Sequence, residues 1–148
     1  MTIQNNTAPQ CQFLYEAVVD IGERQSLGAG PLGERFIIPI LGGTFKGADD
    51  LHGIVLPGGA DRQLLRPDGV KELDALYEMQ THDGVVLTVR NRVLIDDNPP
   101  APRYARSVVQ ITAPAGVYAW LSRRVLVGTM HALMPARQAV RITVYVLD

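Results

Sequence analysis

The chain has 148 residues, 47% of them hydrophobic and 20% charged, with a formal net charge of −1. That length supports one domain with its own core, and the charge balance argues against a nucleic-acid binder, which carries a basic excess. The single cysteine, Cys11, excludes an intrachain disulfide and a cysteine-cluster metal centre.

Residues 1–10 are polar, contain Pro9, and read as a mobile tail ahead of a single domain over 11–148. The opening MTIQNNTAPQCQ has neither the basic end nor the apolar region of a signal peptide. No apolar run is long enough for a membrane helix, so a cytoplasmic protein without membrane contact is expected. Residues 11–20 alternate as a strand, with Phe13, Tyr15, Ala17 and Val19 on one face. Residues 22–33 form a glycine-rich loop, and 34–40 resume a strand. Pro39 has no N–H to donate, which places it near a strand end, a bulge or an edge.

Six of the twenty residues from 42 to 61 are glycine. Glycine permits positive φ and close approach of strands, so this density marks a backbone device. A short strand over 50–56 lies between the glycine pairs. A turn follows at Pro57-Gly58-Gly59, then a strand over 60–66 and a turn at Arg66-Pro67-Asp68-Gly69.

Residues 72–81 and 85–92 form the clearest hairpin. A His82-Asp83-Gly84 loop with Gly84 in the left-handed position pairs Met79 with Leu87 and Tyr77 with Val89. That register puts Leu73, Ala75, Tyr77, Met79 and Thr81 on one face with Val85, Leu87, Val89 and Asn91. It sets Asp74 opposite Arg92 on the other face, the pattern of a half-buried sheet.

Residues 96–102 are a loop, 104–113 a strand, and 118–124 a helical turn or irregular crossing. A strand follows over 125–133, with Gly128 as a bulge, and a last one over 138–147 carries Val140, Ile142, Val144 and Val146 on one face. About eight to ten short strands with no long amphipathic helix predict an all-β fold, a compact antiparallel β-barrel with at most short helical turns.

Gly28-Ala29-Gly30-Pro31-Leu32-Gly33 matches the dinucleotide-binding pattern, but it leads into a strand. The mechanism needs a helix whose N-terminus meets the pyrophosphate. Residues 42–47 have P-loop spacing, yet Ala48-Asp49 stands where lysine and a hydroxyl residue are required. His52, His82 and His131 lie far apart, and no spacing gathers them with Asp50 or Asp61, so no metal and no cofactor is expected. No serine has a nucleophile-elbow context.

What remains is polar residues on apolar faces: Asn91 near Tyr77 and Thr81, Asp61 after the Gly58-Gly59 turn, Arg35 opening a strand, and Tyr118 with Trp120. Buried polar groups need partners, so such a set is a core device or a ligand site.

Several motifs are similar to those of the domain of unknown function 3237 family, also called uncharacterised protein family 0311. They are Gly42-Gly43-Thr44-Phe45-x-Gly47, Leu51-x-Gly53-x-Val55-Leu56-Pro57-Gly58-Gly59-Ala60-Asp61, Thr81-x-Asp83-Gly84, Asn91-Arg92 and Tyr118-x-Trp120-Leu121. The resemblance implies a compact antiparallel barrel, often oligomeric, with no established cofactor. The family places an aromatic after the aspartate where this chain has Arg62, and arginine before the central tyrosine where it has Leu76. Either a shared chemistry is altered there or those positions face outward.

The expected function is a cofactor-independent acid–base enzyme, of isomerase, cyclase or hydratase type, acting on a small apolar or phenolic ligand. Asp61 is the expected acid or base, with Tyr77 beside it. Tyr77 and Asn91 orient the substrate or stabilise an oxyanion. Arg35 anchors an anionic group, and Thr81, Tyr118 and Trp120 complete the binding surface. The alternatives are a non-catalytic ligand carrier and a structural module that mediates homo-oligomerisation.

Overall fold

The computed structural model describes residues 7–148. The expected tail therefore falls partly outside the described residues. Of its last four residues, Gln10 is anchored: its N–H donates to Asp148 Oδ1 at 2.9 Å, and Asp148 N donates back to Gln10 O at 3.1 Å.

Ten strands follow: β1 (Cys11–Ile21), β2 (Gln25–Gly30), β3 (Gly33–Gly47), β4 (His52–Val55), β5 (Ala60–Leu65), β6 (Lys71–Thr81), β7 (Val86–Asp96), β8 (Tyr104–Thr112), β9 (Leu126–Ala132) and β10 (Ala139–Leu147). All pairings are antiparallel within one sheet, ordered β1-β10-β9-β8-β7-β6-β4-β3-β2, with β5 between β3 and β6. β1 also pairs with β3, so the sheet closes on itself. Closure removes the free edges that an open sheet leaves exposed. Two 3-10 turns, Ala48–Asp50 and Ala119–Arg123, are the only helical elements among the described residues. The fold is the all-β antiparallel barrel expected from the alternation of the sequence.

β4 and β5 share one strand position. Along β3, Lys46 faces His52 and Gly43 faces Val55; further on, Pro39 faces Ala60 and Glu34 faces Leu65. The barrel thus has eight strand positions, with β2 attached outside it. Between β4 and β5 the chain bulges over residues 56–59. Gly59 O accepts from Ile40 N and Glu78 O accepts from Leu56 N, both at 2.9 Å. The bulge needs its glycine, because a Cβ on Gly59 would stand 2.4 Å from Tyr77 Cβ. Gly43 has φ +140°, and a Cβ there would meet Val18 O at 2.0 Å, where β1 crosses β3 to close the barrel.

The β6–β7 hairpin has the expected register: Met79 pairs with Leu87 and Tyr77 with Val89. Gly84 has φ 88° and donates to Thr81 O at 2.9 Å. The outward Asp74–Arg92 pairing is present, but the Asp74 carboxylate takes its two hydrogen bonds diagonally, from Arg90, at 3.0 and 2.8 Å.

Four expectations are corrected. Residues 22–33 are not an open loop: β2 pairs with the first residues of β3, and the dinucleotide-like pattern lies on that hairpin. Phe13 leaves the inner face because a bulge between Phe13 and Tyr15 turns Leu14 inward beside Tyr15. Gly128 is no bulge. It pairs regularly with Val144, and its missing side chain makes room for Ser107, whose Oγ would lie 2.6 Å from a Cβ there. The strand expected from residue 50 begins at His52, after the 3-10 turn.

Candidate functional site

The two ends of the barrel differ. At the end where β6 turns into β7, buried Leu14, Leu51, Leu121 and Leu126 fill the interior, with Leu51 and Leu121 brought in by the 3-10 turns. Toward the other end the lumen holds a cavity of about 60 Å³. Its walls are mostly aliphatic, with Ile38, Ile40, Val93 and Ile142 among them, and its polar residues are Asp61, Gln63, Tyr77 and Asn91.

Three adjacent strands bring the polar groups together. Asp61 on β5 pairs with Ala75 on β6, and Ala75 pairs with Asn91 on β7. All three side chains of this row point inward. The middle one is only a methyl group, so the carboxylate and the amide, two strands apart, face the same space. Tyr77 stands one inward position along β6. The bulge backbone at Gly59 packs against it.

Hydrogen bonding in this row is incomplete. Gln63 Nε2 donates to Asp61 Oδ2 at 2.8 Å. Asp61 Oδ1, Tyr77 OH and Asn91 Oδ1 are buried and have no partner within the protein. Buried polar atoms without partners are rare, because each one forfeits its bonds to water. Burial pushes the Asp61 carboxyl from its ordinary 3.8 up to about 6, against smaller opposing effects from the Gln63 side chain and the Asp74 backbone. Burial also raises the Tyr77 hydroxyl, with the Asp61 charge adding to it, so Tyr77 stays protonated and keeps an O–H free to donate. The row therefore presents one carboxylate poised near neutrality, one hydroxyl donor and one amide acceptor.

The other expected residues lie elsewhere. Thr81 is four residues along β6 from Tyr77, roughly 13 Å in a strand, at the filled end. Its hydroxyl donates to Asp83 Oδ1 at 2.5 Å and accepts from Val85 N at 2.9 Å. Tyr118 OH donates to the same Asp83 oxygen at 2.8 Å. The hydroxyls of Thr81 first and Tyr118 second hold the Asp83 carboxyl below its ordinary range. Thr81 and Tyr118 thus belong together, apart from Asp61, and Trp120 is exposed beside them. Arg35 lies on the β2–β3 hairpin, donating to Leu27 O at 3.1 Å. It lines an outer groove with Arg62 and Arg92, and that groove shares Gln63, Leu73 and Val93 with the lumen mouth. Arg62 and Leu76, the two departures from the family pattern, both point to solvent, so neither alters the row.

Sequence reasoning passed over three inward polar side chains. Gln63 follows Asp61 by two residues, the strand period, and that signal was readable. Tyr15 alternates onto the inner face with Ala17 and Val19. Its hydroxyl is fully buried and has no partner, and its ring meets Phe45 edge-on at 5.9 Å. Ser107 alternates with Ala105 and Val109, and its Oγ is likewise without a partner.

Fold and site together define a small closed antiparallel barrel whose mostly aliphatic lumen carries a few polar side chains. The chain belongs to the family described as Protein of unknown function (DUF3237), whose model matches residues 9–147. It is 34% identical over 148 residues to UPF0311 protein RPA1785 of Rhodopseudomonas palustris, covering 91% of this chain and 93% of that one. The crystal structure of the RPA1785 protein superposes with a TM-score of 0.87 at 31% identity, over 97% of this chain and 100% of that one. A beta-barrel like protein of Acinetobacter baumannii superposes with a TM-score of 0.86 at 29% identity, over 97% and 99%. An enzyme from Penicillium herquei shares the fold, with a TM-score of 0.79 at 20% identity, over 99% and 100%.

Proposed function

We propose that the lumen is a small-molecule site in which Asp61 transfers a proton without a cofactor. The observation that carries this reading is the convergence of three unpartnered buried polar atoms, on Asp61, Tyr77 and Asn91, in one aliphatic cavity. A passive carrier needs apolar walls and few converging polar groups; here a donor, an acceptor and a titrating carboxyl meet. As carboxylate, Asp61 takes a proton from an O–H or C–H of the bound molecule. As acid it returns that proton at another atom, so the net change is an isomerisation, cyclisation or hydration with no electron transferred. Tyr77 O–H donates to the oxygen that gains charge. Asn91 Oδ1 accepts from a ligand hydroxyl, which favours a phenolic or enolic ligand. The free space is that of about two waters, so a ring enters by displacing side chains at the mouth. Arg35 lines the adjoining groove, and in this reading it meets an anionic group outside the lumen.

The test is proton abstraction from 5-nitrobenzisoxazole, an apolar aromatic carbon acid that reports a buried carboxylate base. The expected rate saturates with probe, rises with pH through about 6, and falls about 100-fold or more in Asp61→Asn. Equal turnover by Asp61→Asn overturns the assignment. Tight probe binding without turnover in either protein assigns the lumen to a carrier.

A further inference from the structure

A second cluster lies on the outside of the filled end, on residues that the lumen reading does not use. His52 on β4 and His82, directly after β6, are cross-strand neighbours: His82 N donates to His52 O at 2.9 Å. Their rings stack with centroids 4.3 Å apart and planes 4° from parallel, so one exposed ring must turn out of the stack before both in-plane nitrogen lone pairs can meet a single ion. Asp50 approaches both. Its Oδ1 lies 3.2 Å from His52 Nδ1, which also stands 3.0 Å from the Asp50 carbonyl oxygen and must release it to bind an ion, and its Oδ2 lies 3.5 Å from His82 Nε2. One donor atom from each of the three lies within 4.8 Å of the others.

We propose that Asp50, His52 and His82 form a binding site for a divalent transition-metal ion of the zinc class. Zinc bonds nitrogen and carboxylate oxygen at about 2.0–2.2 Å, so donors on neighbouring corners of its tetrahedron stand roughly 3.3 Å apart. The 3.2 Å spacing of Asp50 Oδ1 and His52 Nδ1 matches that edge, and the 3.5 Å contact of His82 Nε2 is to the other carboxylate oxygen, so a small turn of the carboxylate brings both nitrogens to one ion. Two imidazoles and one carboxylate suit zinc, copper, nickel and cobalt; calcium and magnesium take oxygen ligands. Three protein ligands leave a fourth corner for water, and all three side chains are open to solvent.

The backbone contributes to the arrangement. Asp49 and Asp50 both have positive φ, 55° and 62°. Two consecutive non-glycine residues in the left-handed region are uncommon and cost energy. This is the turn that presents the Asp50 carboxylate to both rings. His131 lies on β9 opposite Arg141 and takes no part. A bound ion would tie the 3-10 turn before β4 to the β6–β7 turn, fastening the filled end.

The test uses tag-free full-length protein, stripped with chelator and titrated with Co²⁺ and then Zn²⁺. The expected result is one ion per chain, visible absorption of a four-coordinate cobalt ion bleached by zinc, and a melting temperature raised by zinc. His52→Gln and His82→Gln should each weaken binding about tenfold or more, while melting like the parent in chelator, since both side chains are exposed. His131→Gln and Asp61→Asn should bind as the parent does. Unchanged binding in His52→Gln or His82→Gln, or no binding at millimolar metal, overturns the proposal.

Discussion

The filled end and the open end of this barrel are made from the same strands and the same alternation, yet Thr81 at the first and the Asp61 row at the second are bonded in opposite ways. At the filled end Thr81 Oγ1 bonds to Asp83 and to Val85, and Asp83 is bonded again by Tyr118. At the open end Asp61 Oδ1, Tyr77 OH and Asn91 Oδ1 are buried with no partner within the protein. A polar group satisfied in the fold contributes to stability. One left unpaired costs stability and is free to bond a ligand. The difference separates the part of the barrel that holds it together from the part equipped to bind.

The contrast can be broken by mutation, the largest effect first. Leu121, 1% exposed, plugs the filled end, and Leu121→Ala should cost about 2–5 kcal/mol in urea unfolding. A loss below about 1 kcal/mol would mean that this end is not held by its plug.

Asp61→Asn should have the opposite sign. A carboxyl raised from 3.8 to about 6 binds its proton more tightly in the folded chain, so its ionised form opposes folding. At about 1.4 kcal/mol per tenfold, the cost reaches about 3 kcal/mol above pH 6. It shrinks as pH falls and is absent below about 3.8. Asp61→Asn should therefore be more stable than the parent at pH 8 and equal to it near pH 3.5, measured by urea unfolding across that range.

Two hydroxyl deletions sharpen the comparison further. Thr81→Val removes a satisfied hydroxyl and should cost about 1–3 kcal/mol. Tyr77→Phe removes an unsatisfied one and should change stability by less than about 0.5 kcal/mol, or raise it. Equal losses from both would show that the two ends do not differ in hydrogen bonding. Ala75→Leu, a small-to-large change in the core that should cost about 1–3 kcal/mol, shows its clearest effect on binding. It fills the space between Asp61 and Asn91 and should lower probe turnover about tenfold or more while the chain stays folded.

Much of this was legible in the sequence. Strict alternation in 72–81 and a three-residue turn at Gly84 set the β6–β7 register, and with it the inward placement of Tyr77 and Asn91. The glycines of residues 42–61 marked the bulge and the crossing of β1, where Gly59 and Gly43 leave no room for a Cβ. Other features depend on contacts that no local pattern encodes. QSLGAG, the whole of β2, is exposed, so no buried stripe betrays it as a strand. The bulge that turns Phe13 out and Leu14 in has no composition cue. Thr81 and Asn91 share an inner face, but alternation assigns a face and not an end, so a residue bonded into the turn was grouped with one beside the cavity. His52 and His82 are thirty residues apart in sequence and meet only through the pairing of β4 with β6.

The central claim is that the open end holds a buried carboxyl poised to exchange a proton near neutrality. A carboxyl ¹³C NMR titration of the aspartates, with Asp61 assigned by its disappearance in Asp61→Asn, measures this directly. The account predicts a midpoint of about 6 for Asp61. A midpoint at or below its ordinary 3.8 would mean a solvated or satisfied carboxylate and would contradict the site.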